Sequence, residues 1–185
     1  MKERGSAKKK FAGQLLLAHP ALREPTFKRT VILLSSHDAE GAMGVVLNRP
    51  LNQQLGEIST GFALGPLAGI PVFQGGPVAT DQLLLVSWQW LKAEAAFQLH
   101  FGLDPEKAAE QIGAPGLTIR AFFGYAGWGQ GQLENEMRHE TWIATPVDGE
   151  WLGRASGVDL WRGILGSLDP DLKFLAGEPD DPSLN

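Results

Sequence analysis

A chain of 185 residues is the size of one domain and is long enough to bury about two thirds of the surface its unfolded state exposes. It has no cysteine, which excludes disulfide staples, thiolate zinc sites and a cysteine nucleophile. A formal net charge of −5 argues against a surface built to neutralise nucleic-acid phosphates, while six Trp and nine Phe supply large side chains for a core.

Residues 1–10 carry Lys2, Arg4, Lys8, Lys9 and Lys10 and are expected to form a disordered, solvated basic tail. This tail followed by apolar residues imitates a secretory leader. Gln14, His19 and Pro20 interrupt the apolar part, however, so Leu15 to Ala18 reads as a first buried strand. No run of about 18 apolar residues is free of charge, and no membrane-spanning helix is expected. Thr30–Ser35 and Ala42–Leu47 are nearly continuous apolar runs around His37-Asp38-Ala39-Glu40-Gly41, the pattern of a hairpin covered on both faces.

Asn52 to Ile58 reads as a short helix capped by Asn52, followed by a Gly- and Pro-rich loop. Val72–Gln74, Leu83–Val86 and Phe97–Phe101 read as strands, and Asp104-Pro105-Glu106 opens a helix with a cap, a first-position proline and an acidic first turn. Leu117–Tyr125 reads as a central strand that ends in a glycine-rich turn, Gly127 to Gly131. A short helix over Gln132–Arg138, a strand over Trp142–Val147 and a helix over Asp159–Leu168 complete the domain, before an acidic end from 176 to 185 that is expected to be loose. Strands come in runs rather than alternating with helices, which points to α+β.

The sequence contains no G-x-S-x-G elbow, phosphate-binding G-x-x-x-x-G-K-[ST] loop or H-E-x-x-H helix. The four His are scattered, and no metal site or cofactor is expected. Gly127-Trp128-Gly129-Gln130-Gly131 could aim backbone amides at an anion, but Glu134 and Glu136 in the following helix would repel a phosphate. A structural turn that packs Trp128 is the simpler reading. Pro50 keeps Arg49 out of the helical region, so Arg49 either grips an anionic ligand or pins a strand end by pairing with Glu134 or Asp81. Asn48, Arg49, Gly75, Gly76, Pro77, Gly127, Trp128 and Glu134 each lie where a predicted strand stops, so they are expected to gather at one end of the sheet as a candidate ligand-binding site.

Four segments stand out in order: Leu15-Leu16-Leu17-Ala18-His19-Pro20-Ala21-Leu22 with Pro25-Thr26-Phe27; Gly41-Ala42-Met43-Gly44-Val45-Val46-Leu47-Asn48-Arg49-Pro50; Gly75-Gly76-Pro77-Val78; and Gly124-Tyr125-Ala126-Gly127-Trp128-Gly129-Gln130-Gly131-Gln132-Leu133-Glu134. Together they resemble the YqgE/AlgH family of bacterial proteins. The resemblance covers Phe11 to Leu168. It implies a single compact α+β domain, spanning 11–175, with a largely antiparallel, barrel-like sheet flanked by helices, in a cytoplasmic bacterial protein. Members usually carry Glu immediately before the His of the first hairpin, where this chain has Ser36 before His37. The family brings no established reaction, and the transcriptional-regulator label on some members is not matched here by a helix-turn-helix with a basic second helix. The expectation is therefore a non-enzymatic binding or regulatory module for a small molecule or protein partner, with no specific DNA binding and no membrane association. The alternatives are direct transcriptional regulation and a hydrolase that uses Arg49, His37 and Glu134.

Overall fold

The computed structural model describes residues 11–91, 93–94, 96–154 and 156–177. The expected basic tail and all but the first two residues of the expected acidic end lie outside them. The first strand, β1 (Gln14–Ala18), is followed by the hairpin β2 (Val31–His37) and β3 (Gly41–Val46). Next come β4 (Pro50–Gln54), a one-turn helix α1 (Leu55–Ile58), a 3-10 turn (Thr60–Phe62) and β5 (Pro71–Gln74). A long hairpin, β6 (Val78–Leu91) and β7 (Ala96–Phe101), precedes α2 (Pro105–Gln111), the central strand β8 (Leu117–Gly129) and α3 (Gln132–Arg138). The chain closes with β9 (Trp142–Pro146), α4 (Gly149–Arg154), α5 (Gly157–Leu168) and α6 (Pro170–Ala176).

β8 organises the nine described strands because its two halves take different neighbours. Its C-terminal part pairs with β3, from Gly44 opposite Ala126 to Gly41 opposite Gly129, and β3 continues through β2 and β1 to β9, antiparallel throughout. Its N-terminal part pairs antiparallel with β6, from Leu83 opposite Phe123 to Gln89 opposite Leu117. The other edge of that part accepts β5 in parallel, with Val72 opposite Ala121. β4 then pairs with β5, and β7 with β6.

The barrel-like expectation is therefore corrected: the sheet is largely antiparallel but open. Closure requires edge strands to exchange backbone hydrogen bonds, and among the described residues β9, β4 and β7 each have a single strand neighbour. Gly124, at φ +71°, lies between the two halves of β8 and lets the strand change direction there. Mixed α and β structure around one sheet agrees with the α+β reading.

β1 and β2 are buried on both faces, as their continuous apolar runs predict. Leu15, Leu17, Val31 and Leu33 pack on the side of Leu160, Trp161, Ile164 and Leu165 of α5. Leu16, Ala18, Ile32 and Leu34 pack on the opposite side with Phe11, Trp128, Leu133 and Trp142. A third cluster, built from Leu55, Leu67, Ile70, Val72, Leu85, Ala108 and Ala121, fills the space under α1 and α2.

Two expected elements differ. Asn52 does not cap a helix: it lies within β4 at φ +55°, and α1 starts after Gln54, whose backbone N–H donates to Glu57 Oε2 at 2.7 Å in a capping box. Polar side chains at 52–54 suit an exposed edge strand as well as a helix start. The turn expected at Gly127 is a continuation of β8 to Gly129, because β3 supplies partners for these glycines.

Candidate functional site

Asn48 follows β3 and is buried. Its Oδ1 accepts the Val31 N–H at 2.8 Å, and its Nδ2 donates to Arg29 O at 2.8 Å and Gly157 O at 3.0 Å. The side chain thereby ties β2 to the start of α5, with three of its four hydrogen-bonding positions used. Arg49 donates through Nη2 to Pro25 O at 3.2 Å and Lys28 O at 3.4 Å, and so clamps the loop between β1 and β2. Glu24 braces the same loop by accepting the Thr26 and Phe27 amides at 2.9 and 3.0 Å. Burial alone would raise its carboxyl pKa, but these hydrogen bonds and the nearby Arg49 charge together hold it below the ordinary carboxylate value.

Gly75 and Gly76 lie where β3, β5 and β8 converge. The Gly75 N–H donates to Phe123 O and the Gly75 carbonyl accepts the Val46 N–H, both at 2.8 Å. A Cβ on Gly75 would fall on the Gly124 carbonyl, and one on Gly76, at φ +155°, on the backbone of Tyr125. Pro77 is an exposed bend before β6. Gly127 is exposed, and its nearest neighbour would be Tyr125 Cε2 at 3.4 Å, an ordinary contact.

At the end of β2, opposite Ala42 of β3, His37 is buried, with its ring stacked on Phe11 at a centroid distance of 5.4 Å. Its Nδ1 accepts the Phe11 N–H at 3.2 Å, which in the neutral ring leaves the proton on Nε2, 3.4 Å from Glu134 Oε1. Trp128 pairs with Ala42, the residue opposite His37, and meets Trp142 edge-on at 5.9 Å and Phe27 at 6.5 Å. Glu136 Oε2 accepts both indole N–H groups, from Trp128 at 2.8 Å and Trp142 at 2.7 Å. Its other oxygen accepts from Gln132 Nε2 at 2.9 Å, so that α3 is bolted to β8 and β9.

The eight predicted residues thus line one seam instead of gathering at one end of the sheet. Arg49 is joined to the Gly75 turn, because its carbonyl accepts the Gln74 N–H at 2.9 Å, but Trp128 and Glu134 lie at the other end of β3. From Ala42 to Val46 alone β3 advances about 13 Å, at about 3.3 Å per extended residue, and Arg49 lies beyond that end. The expected pairing of Arg49 with Glu134 is replaced by carbonyl contacts for Arg49 and by His37 for Glu134. Sequence reasoning missed Glu136, although its spacing of four from Gln132 on a predicted helix was a signal. It also missed Arg120, a lone charge in the apolar run Leu117–Tyr125, which lies among Phe73, Trp88 and the end of β3.

The family model described as DUF179, AlgH-like, matches residues 15–173. A UPF0301 protein of Streptomyces coelicolor is 41% identical over 190 residues, covering 95% of both chains. One from Thioalkalivibrio sulfidiphilus is 32% identical over 182 residues, covering 94% of this chain and 97% of its own. Among solved structures, the AlgH protein of Pseudomonas aeruginosa superposes with a TM-score of 0.66 at 27% identity, over 98% of this chain and 100% of that one. A Corynebacterium diphtheriae protein shares the fold at a TM-score of 0.70 and 22% identity, over 94% and 95% of the two chains. With the seam motifs, the family model and these relatives in agreement, the chain belongs to the AlgH-like DUF179 family.

Proposed function

We propose that this chain is a non-enzymatic binding or regulatory module, and that the eight seam residues maintain its fold and one surface site without reacting. The observation that carries this reading is the occupied lone pair of His37. A neutral imidazole has a single ring nitrogen able to accept a proton, and here it already accepts the Phe11 N–H at 3.2 Å. A general base needs that position open toward the proton it removes. Arg49, which a hydrolase would place beside the pair to steady developing negative charge, is at the far end of β3 and holds two loop carbonyls.

The test is turnover of chromogenic carboxylic esters and phosphoesters by the wild-type chain and by His37→Gln, with folding checked by circular dichroism. The expected result is the same background rate for both. Turnover that collapses in a folded His37→Gln variant would overturn the reading and favour a hydrolase.

A further inference from the structure

Arg120 is a cation with no carboxylate partner among the described residues. It lies on β8 opposite Val86 and is only partly exposed. Its guanidinium carbon sits 4.6 Å from the Phe73 ring centre and 5.0 Å from that of Trp88. Both rings are buried, and each contributes an attractive cation–π contact. Its hydrogen-bond acceptors are neutral carbonyls: Leu152 O at 3.2 Å from Nη2, and Leu47 O at 3.5 Å from Nη1, the second at the limit of a hydrogen bond.

A guanidinium has five N–H groups, and these two contacts leave three without an acceptor among the described residues. Burial pulls its pKa down to about 10, and it stays cationic at neutral pH. Partly desolvated charges in proteins are ordinarily paired, since desolvating one without a partner is costly. A strut between two carbonyls needs only neutral donors. The cation–π contacts use the face of the guanidinium, and the part of its edge not bonded to carbonyls is where N–H groups match a carboxylate or phosphate.

We propose that Arg120 is an anion-binding site, taking a carboxylate or phosphate group of a small molecule on the edge of its guanidinium beside Phe73 and Trp88. The site lies outside the seam and goes beyond the binding-module reading. Titration reads anion binding and the turnover assay reads chemistry, so either idea can fail alone.

The experiment titrates the full chain with sodium phosphate and, separately, sodium succinate at ionic strength held constant with sodium chloride. Nitrogen-proton correlation spectra follow the Arg120 Nε–H, the Trp88 indole N–H and the backbone amides. Saturable shifts centred on Arg120, Phe73 and Trp88 with at least one probe are expected, and the probe that saturates at lower concentration identifies the preferred group. Arg120→Gln should weaken that binding by at least about tenfold, the loss of about 1.4 kcal/mol expected when a charged bidentate contact is removed. Arg120→Lys keeps the charge without the fork and should fall between the two. Absence of saturable shifts with both probes, shifts centred elsewhere, or equal affinity in folded Arg120→Gln would overturn the proposal. Should Arg120→Gln not fold, the location of the wild-type shifts decides.

Discussion

Glu24 shows how one side chain can make a loop sensitive to pH. Its carboxylate accepts two loop amides and lies near Arg49, which itself holds Pro25 O and Lys28 O, so the two charged groups brace the same stretch of chain. Because its folded pKa lies below the ordinary carboxylate value, the folded state binds fewer protons than the unfolded state through the acid range. The stabilisation is fully present above the unfolded pKa and is lost as pH falls through the folded one. Glu24→Gln should therefore show a lower melting temperature than wild type at neutral pH, and a smaller further decrease between about pH 5 and pH 3. The group is exposed, so solvent screening keeps the difference small, and melting curves at matched ionic strength across that range will measure it. Parallel wild-type and Glu24→Gln curves would show that the loop carboxylate does not contribute.

Within the seam, glycines that look alike in sequence face different demands. Gly76 lets its backbone cross Tyr125 with no room for a Cβ, at a φ of +155° that disfavours other residues. Gly127 has ordinary space around it. Gly76→Ala should destabilise the domain by more than about 3 kcal/mol, as expected when strain and overlap must both be absorbed. Gly127→Ala should cost less than about 1 kcal/mol, as at other exposed positions away from strain. Urea unfolding of both variants separates the two classes, and comparable losses would show that the convergence of β3, β5 and β8 does not set the requirement. Motif reading registered that both glycines matter to the pattern but not why, since the reason depends on which backbone passes behind each. The same limit applies to whole elements. α3 was legible with its boundaries and β1 to within one residue, because a helix start or an apolar run fixes them locally. Of β6, only Leu83–Val86 was visible: Asp81, Gln82 and Gln89 resemble loop residues until β8 supplies the pairing. α6 was missed although Asp169-Pro170-Asp171 repeats the cap and first-position proline that revealed α2. The seam motifs were legible as a set, but their division between the two ends of β3 was not, because strand spacing along the sequence does not say which ends adjoin.

At the scale of the molecule, charge decides between a module that reads DNA and one that does not. Duplex binding draws most of its affinity from lysine and arginine placed against phosphates, with release of counterions. This chain carries a net −5, and two of its arginines are engaged within the fold: Arg49 on two carbonyls, and Arg29 6.0 Å from the Trp161 ring centre. Five further basic residues lie in the first ten positions, so removing that segment leaves the remainder more acidic still. The deletion must stop before Phe11, which is buried, stacks on His37 and donates its amide to it. Weak duplex binding that falls steeply with added salt is expected for the full chain, and loss of even that binding is expected for a chain lacking residues 2–10, in which Met1 keeps the Phe11 nitrogen an amide. Fluorescence anisotropy with random and genomic duplexes, at low salt and at about 0.15 M, will measure both. Tight, sequence-selective binding by the shortened chain at the higher salt would mean that the folded surface itself reads DNA, and would replace the binding-module reading with direct transcriptional regulation.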